Sequence, residues 1–147
     1  MTEPADPDLH LEGFRLWVHG RERPDDNDYW DGNWLTVTCV MELSGARVEA
    51  TGPFLRTSEL GLFAEQTKAL HATLSGEAEL ACMEPQLQIR LEGDGLGHIA
   101  ATIELTPDHF NQLHRFRFDT DQTWLPSVLA SCEKILSEFP VCGQPSD

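Results

Sequence analysis

A chain of 147 residues, 40% of them apolar, is sized for one domain around one core, and no apolar run approaches the roughly 18 residues that a membrane helix needs. Twenty-five Asp and Glu against ten Lys and Arg leave a net charge of −15, which repels nucleic-acid phosphate and anionic lipid and attracts basic protein partners. The start, MTEPADPDLH, has neither the basic nor the apolar region of a secretory signal, so the expectation is a soluble cytoplasmic domain of unstated oligomeric state.

Residues 1–8, with Pro4 and Pro7 among acidic and small residues, read as a disordered N-terminal tail; 9–140 read as a single α+β domain and 141–147 as a C-terminal tail. LHLEGFRLWVHG alternates as Leu9, Leu11 and then Phe14, Leu16, Val18, a phase shift that predicts one strand with a bulge at Gly13. RERPDDND is turn chemistry. WLTVTCVMEL places Leu35, Val37, Cys39, Met41 and Leu43 on one face of a strand, and Ser44-Gly45 turns it into ARVEATG as a hairpin. After Pro53, Leu60, Phe63, Thr67, Leu70 and Leu74 recur at 3-4-3-4 spacing, which predicts a helix capped by Thr57 or Ser58 and closed near Gly76.

Three more alternating runs follow: Ala78, Leu80, Cys82; Leu87, Ile89, Leu91; and Ile99, Ala101, Ile103, Leu105, the last two joined by the turn GDGLG. Phe116 and Phe118 mark a short last strand, with TPDHFNQL before it read as a loop. DQTWLPSVLASCEKILSEFP then carries a broad helical stripe, capped by Asp121 or Thr123, with Pro126 in its first turn and Pro140 at its end. Strands, helix, strands, helix without α/β alternation predict an α+β fold: an antiparallel sheet of about six or seven strands with two helices on one face.

Chemistry for catalysis is sparse. No phosphate-cradling loop, nucleophile elbow or H-E-x-x-H occurs, and the glycines of GDGLG lie between two strands, where a hairpin explains them. Asp108, His109 and His114 are the one sequence-local set that suggests a metal or acid–base cluster, and they lack helical i, i+4 spacing. Cys39, Cys82, Cys132 and Cys142 form no zinc-ligand spacing; three fall at apolar positions, so buried free thiols are expected. No catalytic, cofactor or metal residue is assigned, and a small-molecule-binding or enzymatic α+β domain stands as the alternative reading.

DDNDYWDGNWL, from Asp25 to Leu35, concentrates four aspartates and three large rings. In a structural reading Trp30 and Trp34 anchor the loop to the sheet edge, with Asp31 and Asn33 capping the turn between them. In a functional reading Asp25, Asp26, Asp28 and Asp31 form a surface preorganised for a basic partner, with Tyr29 as a contact residue. The two are compatible.

The stretch DYWDGNWL, the helix start RTSEL at Arg56, the CMEPQLQI run with Glu84 and Pro85, and the closing helix from Asp121 to Phe139-Pro140 together resemble the WapI family of bacterial immunity proteins, over about Leu11 to Pro140. The tail VCGQPSD departs from the family pattern, having no arginine where one is expected. The resemblance implies a non-enzymatic inhibitor that binds and neutralises a cognate toxin domain, such as a nuclease. It implies no cofactor.

Overall fold

The computed structural model describes residues 5–145. Residues 1–4 of the expected N-terminal tail and 146–147 of the C-terminal tail lie outside the described residues. The chain runs through four strands, β1 (Leu9–Leu11), β2 (Phe14–Arg21), β3 (Trp34–Leu43) and β4 (Ala46–Arg56), then the helix α1 (Thr57–Thr73). It repeats the pattern with β5 (Ser75–Ala81), β6 (Leu87–Asp94), β7 (His98–Leu105) and β8 (Arg115–Asp121), a 3-10 turn at Gln122–Trp124, and α2 (Leu125–Glu138). The class is α+β and every strand pair is antiparallel, as the alternation predicts. The eight strands divide into two four-stranded meanders, β1-β2-β3-β4 and β5-β6-β7-β8.

Both sheets and both helices contribute to one continuous buried cluster. Leu35, Val37, Cys39 and Met41 of β3 point into it fully buried, as do Leu87 and Leu91 of β6 and Ile99 and Ile103 of β7. From α1 come Leu60, Phe63 and Leu70, and from α2 Leu125, Val128 and Cys132. Each such aliphatic or aromatic side chain contributes about 1.5–3 kcal/mol of burial free energy, so the period-2 and period-3.6 patterns determine which faces meet. α1 and α2 pack against one another, and β7 faces β3 and β4 across the core.

Three local expectations are corrected. At Gly13 there is no bulge but a tight hairpin between β1 and β2, with Leu11 opposite Phe14. A hairpin and a bulge produce the same phase shift in the sequence; what demands glycine is crowding, because a Cβ on Gly13 would sit 1.9 Å from the Glu42 carbonyl oxygen. The N-cap of α1 is Arg56, one residue before Thr57, and its N–H donates to Glu59 Oε1 at 2.8 Å. The left-handed residue closing α1 is Leu74 (φ 61°) and not Gly76, because the turn after β6 reaches over and donates Gly95 N–H to the Leu74 carbonyl at 2.7 Å. Pro53 sits inside β4, at a bulge where Leu35 pairs Leu55 but Val37 pairs Gly52. A proline is tolerated there because β4 is an edge strand.

Candidate functional site: the acidic loop and its clasp

β2 ends at Arg21 and β3 begins at Trp34, so the loop between them carries the aspartate cluster to one end of the first sheet. Its shape is set by its own carboxylates. Asp26 Oδ1 accepts the Asp28 N–H at 2.9 Å, and Asp28 Oδ2 accepts the N–H groups of Trp30 at 2.9 Å and Asp31 at 3.0 Å. These are the side chain to backbone bonds that aspartate offers a turn. The turn is thus closed by the carboxylates of Asp26 and Asp28; Asp31 enters it through its N–H, and its carboxylate makes none of these bonds. Asp25, Asp28, Trp30 and Asp31 are exposed and Asp26 and Tyr29 half-buried, with the Tyr29 and Trp30 rings edge-on at 4.9 Å. Among the described residues, no Lys, Arg or His lies within 4.0 Å of any of the four carboxylates; the other ion pairs lie elsewhere.

Beneath the loop Asn33 is wholly buried and every part of its amide is used. Nδ2 donates to the carbonyls of Tyr29 (2.8 Å) and Cys142 (3.0 Å). Oδ1 accepts from the Thr57 hydroxyl (2.9 Å) and the Cys142 N–H (2.9 Å). One amide therefore ties together the loop, the start of α1 and the segment that follows α2. Arg21 adds a second tie, donating to the Gly32 carbonyl at 2.8 Å and to the Pro140 carbonyl, with its guanidinium 6.0 Å from the Phe139 ring centre. Gly32 has no room for a Cβ, which would lie 2.3 Å from the Asp26 carbonyl oxygen and 2.9 Å from Cys142 Sγ.

Trp34 opens β3 half-buried, with the Arg56 guanidinium 5.3 Å from its ring centre. Arg56 also pairs with the buried Glu59 at 3.0 Å, and Glu59 Oε2 accepts the Met83 N–H at 2.7 Å. That anchors the connection between β5 and β6, where Glu84 is half-buried and Pro85 exposed. Glu84 joins Glu22, Trp34, Phe54 and Gln86 around a groove of about 470 Å³ at the foot of the acidic loop. So the structure brings Glu84 toward the loop's base, whereas Pro85 does not line that groove.

Asp108, His109 and His114 do not converge. His109 stacks at 4.2 Å on Phe110, and His114 Nε2 lies 3.0 Å from Gln112 Oε1. Among the described residues no group of three or more His, Cys, Asp or Glu is placed to hold a metal ion. Cys39, Cys82 and Cys132 are buried free thiols and Cys142 is half-buried. Burial pushes the Cys39 and Cys82 thiols well up, Cys82 with help from the Glu59 charge, and pushes Cys132 up to about 12, away from nucleophile chemistry. No helix among the described residues is long and apolar enough to cross a membrane.

The family model described as the immunity protein WapI-like family matches residues 8–140, from just before β1 to the end of α2. The chain belongs to that family. DYWDGNWL, on which the resemblance rested, is the loop and strand entry just described, and its asparagine is the buried hub. No curated protein and no solved structure matches. Membership indicates an immunity protein and, with it, a toxin protein as partner. Sequence reasoning passed over Arg21, and it read Thr57 as a helix cap and Cys142 as a free thiol without their shared tie to Asn33.

Proposed function

We propose that this protein binds a cognate bacterial toxin domain in the cytoplasm of the cell that makes it and blocks that domain by occupying a cationic surface. The contact face is the Asp25–Asp31 loop, with Asp25, Asp26, Asp28 and Asp31 supplying charge and Tyr29 an aromatic contact. What carries this reading is the set of four neighbouring carboxylates that have no ion-pair partner among the described residues, on a loop whose turn is closed by two of them, Asp26 and Asp28. A nuclease domain is the favoured target, because a cleft that holds phosphate must be positive, and an inhibitor of net charge −15 both reaches it quickly and competes with its substrate. The role is inhibition by binding, without catalysis, cofactor, nucleic acid or membrane.

The test is the combined substitution of Asp25, Asp26, Asp28 and Asp31 by asparagine. Asparagine Oδ1 keeps accepting the turn's N–H groups, so charge is removed while the loop's shape is kept. Association with a toxin domain encoded next to this gene, followed by stopped flow across a salt series, is expected to slow by about tenfold or more at low salt and to lose much of its salt dependence. Unchanged rates and an unchanged salt slope would place the contact on another surface.

A further inference from the structure

We infer that the segment Pro140–Gly143 belongs to the same interaction surface: it clasps the acidic loop from beneath and holds its carboxylates in the arrangement a cationic partner meets. The inference rests on the reading above for the identity of the partner. The clasp itself rests on four independent contacts.

Asn33 meets the backbone of Cys142 at two points, accepting its N–H at 2.9 Å and donating to its carbonyl at 3.0 Å, as a neighbouring strand would. Arg21 bridges Gly32 and Pro140 through their carbonyls. Cys142 Sγ fills the space left by the missing Gly32 side chain. Gly143, at φ +72°, lies against the loop so closely that a Cβ there would stand 2.5 Å from the Tyr29 nitrogen. The clasp and the loop are therefore complementary at backbone level, although 109 residues separate Asn33 from Cys142.

The physical consequence is preorganisation. A loop of mostly polar residues ordered only on binding would lose conformational entropy at that moment, which weakens the complex; a loop already clasped has lost it on folding. Coupling of this kind is reciprocal, so a partner that prefers the clasped loop must in turn hold the clasp shut. Cys142 offers the reporter. It is the one cysteine of four that is not buried, and an alkyl group on its sulfur cannot share the space between Asn33 Oδ1 at 3.4 Å and the Asp28 carbonyl at 3.8 Å.

The experiment compares the full chain with Gly143→Val, which cannot dock on Tyr29, and with Cys142→Ala, which keeps both backbone bonds to Asn33. Hydrogen exchange of the Trp30, Asp31 and Gly32 amides is read alongside affinity for the adjacent-gene toxin domain. For Gly143→Val, loop exchange is expected to accelerate about tenfold or more and toxin binding to weaken about tenfold, with the salt slope kept because every carboxylate remains. Cys142→Ala, which empties the space beside Gly32 but leaves the backbone clasp, is expected to lie between the parent and Gly143→Val in both loop exchange and affinity. Saturating toxin is expected to slow iodoacetamide labelling of Cys142 in the parent by about tenfold. If Gly143→Val does not fold, the parent alkylated at Cys142 replaces it, and the same loosening of loop and binding is expected. Parent-like exchange in the loop of Gly143→Val overturns the clasp; fast exchange with parent-like affinity overturns its part in binding. Should the parent capture no toxin domain, the functional reading falls, and with it the clasp's part in binding, while the exchange result still decides the clasp.

Discussion

Replacing Asn33 by alanine tests the hub most directly. The change deletes four hydrogen bonds, to the Tyr29 carbonyl, the Cys142 carbonyl and N–H, and the Thr57 hydroxyl. The last of these partners is fully buried. A buried group left without a partner costs about 1–3 kcal/mol, whereas the half-buried Cys142 groups can recover water. The stranded Thr57 hydroxyl, with a smaller share from the half-buried Tyr29 carbonyl, therefore gives a loss of about 2 kcal/mol, or about 6 °C in Tm for a domain of this length. Urea unfolding followed by tryptophan fluorescence measures it, with the m-value as a check that the unfolding transition is unchanged. Asn33→Leu separates hydrogen bonding from packing: it restores volume but no polar atom, so it should be at least as damaging. In Asn33→Asp the carboxylate faces the Tyr29 and Cys142 carbonyls in a buried site, which raises its pKa above the unfolded value of about 3.9. That variant is accordingly least impaired at acid pH and loses stability as pH rises through the folded value. A loss below about 1 kcal/mol in the alanine variant would refute the hub.

Glu59→Ala removes the acceptor for the Arg56 N–H, the Met83 N–H and the Arg56 guanidinium, and it strands a mostly buried cation against Trp34. Breaking a buried pair in this way costs about 3–5 kcal/mol, read by the same urea titration, and a change under about 1 kcal/mol would mean that the guanidinium finds water. The buried thiols set an alkaline limit. Burial raises Cys132 from 9.0 to about 12, so the stability owed to its neutral form is complete below about 9 and falls as pH climbs toward 12. A Tm series across that window, paired with absorbance titration of thiolate in the native Cys142→Ala chain, where only the three buried thiols report, checks it; native thiolate appearing near 9 in that chain would contradict the burial.

Much of this architecture was legible in the chain because hydrophobic alternation reports which face of each element is buried. Leu35, Val37, Cys39 and Met41 are inside for the reason their spacing suggests, and the same holds for Leu60, Phe63 and Leu70 at helical spacing. Alternation does not report partners. Nothing in the period of β4 and β5 says that α1 separates two sheets, since a helix between strands of one sheet would have the same pattern. The hairpin at Glu12 and Gly13 was hidden because a shift of phase is common to turns and bulges, and only the nearness of the Glu42 carbonyl distinguishes them. The ends of α1 differ from the sequence expectation by a residue or two: a capping box with Glu59 moves the N-cap to Arg56, although the polar capping residues are Thr57 and Ser58, and at the far end a tertiary donor, the Gly95 N–H, satisfies the Leu74 carbonyl. The clasp was illegible, as it depends on one asparagine meeting a backbone 109 residues away.

The distribution of charge completes the reasoning about the loop. On the second sheet the acids are interleaved with cations: Arg90 lies among Glu77, Glu79 and Glu92, Arg115 pairs with Glu104, and His98 lies beside Asp94 and Asp119. Exposed pairs of this kind add little stability, but they cancel field locally. At the acidic loop a different solution is used. Arg21, the cation at its base, donates to the Gly32 and Pro140 carbonyls and to none of the four aspartates, and the loop's remaining order comes from backbone bonds and the Asn33 amide. Salt bridges would have fixed the loop equally well while neutralising it. Holding it with backbone N–H groups and an amide leaves its carboxylates without a counter-cation, which is the condition the proposed function needs for steering a cationic partner to this end of the molecule.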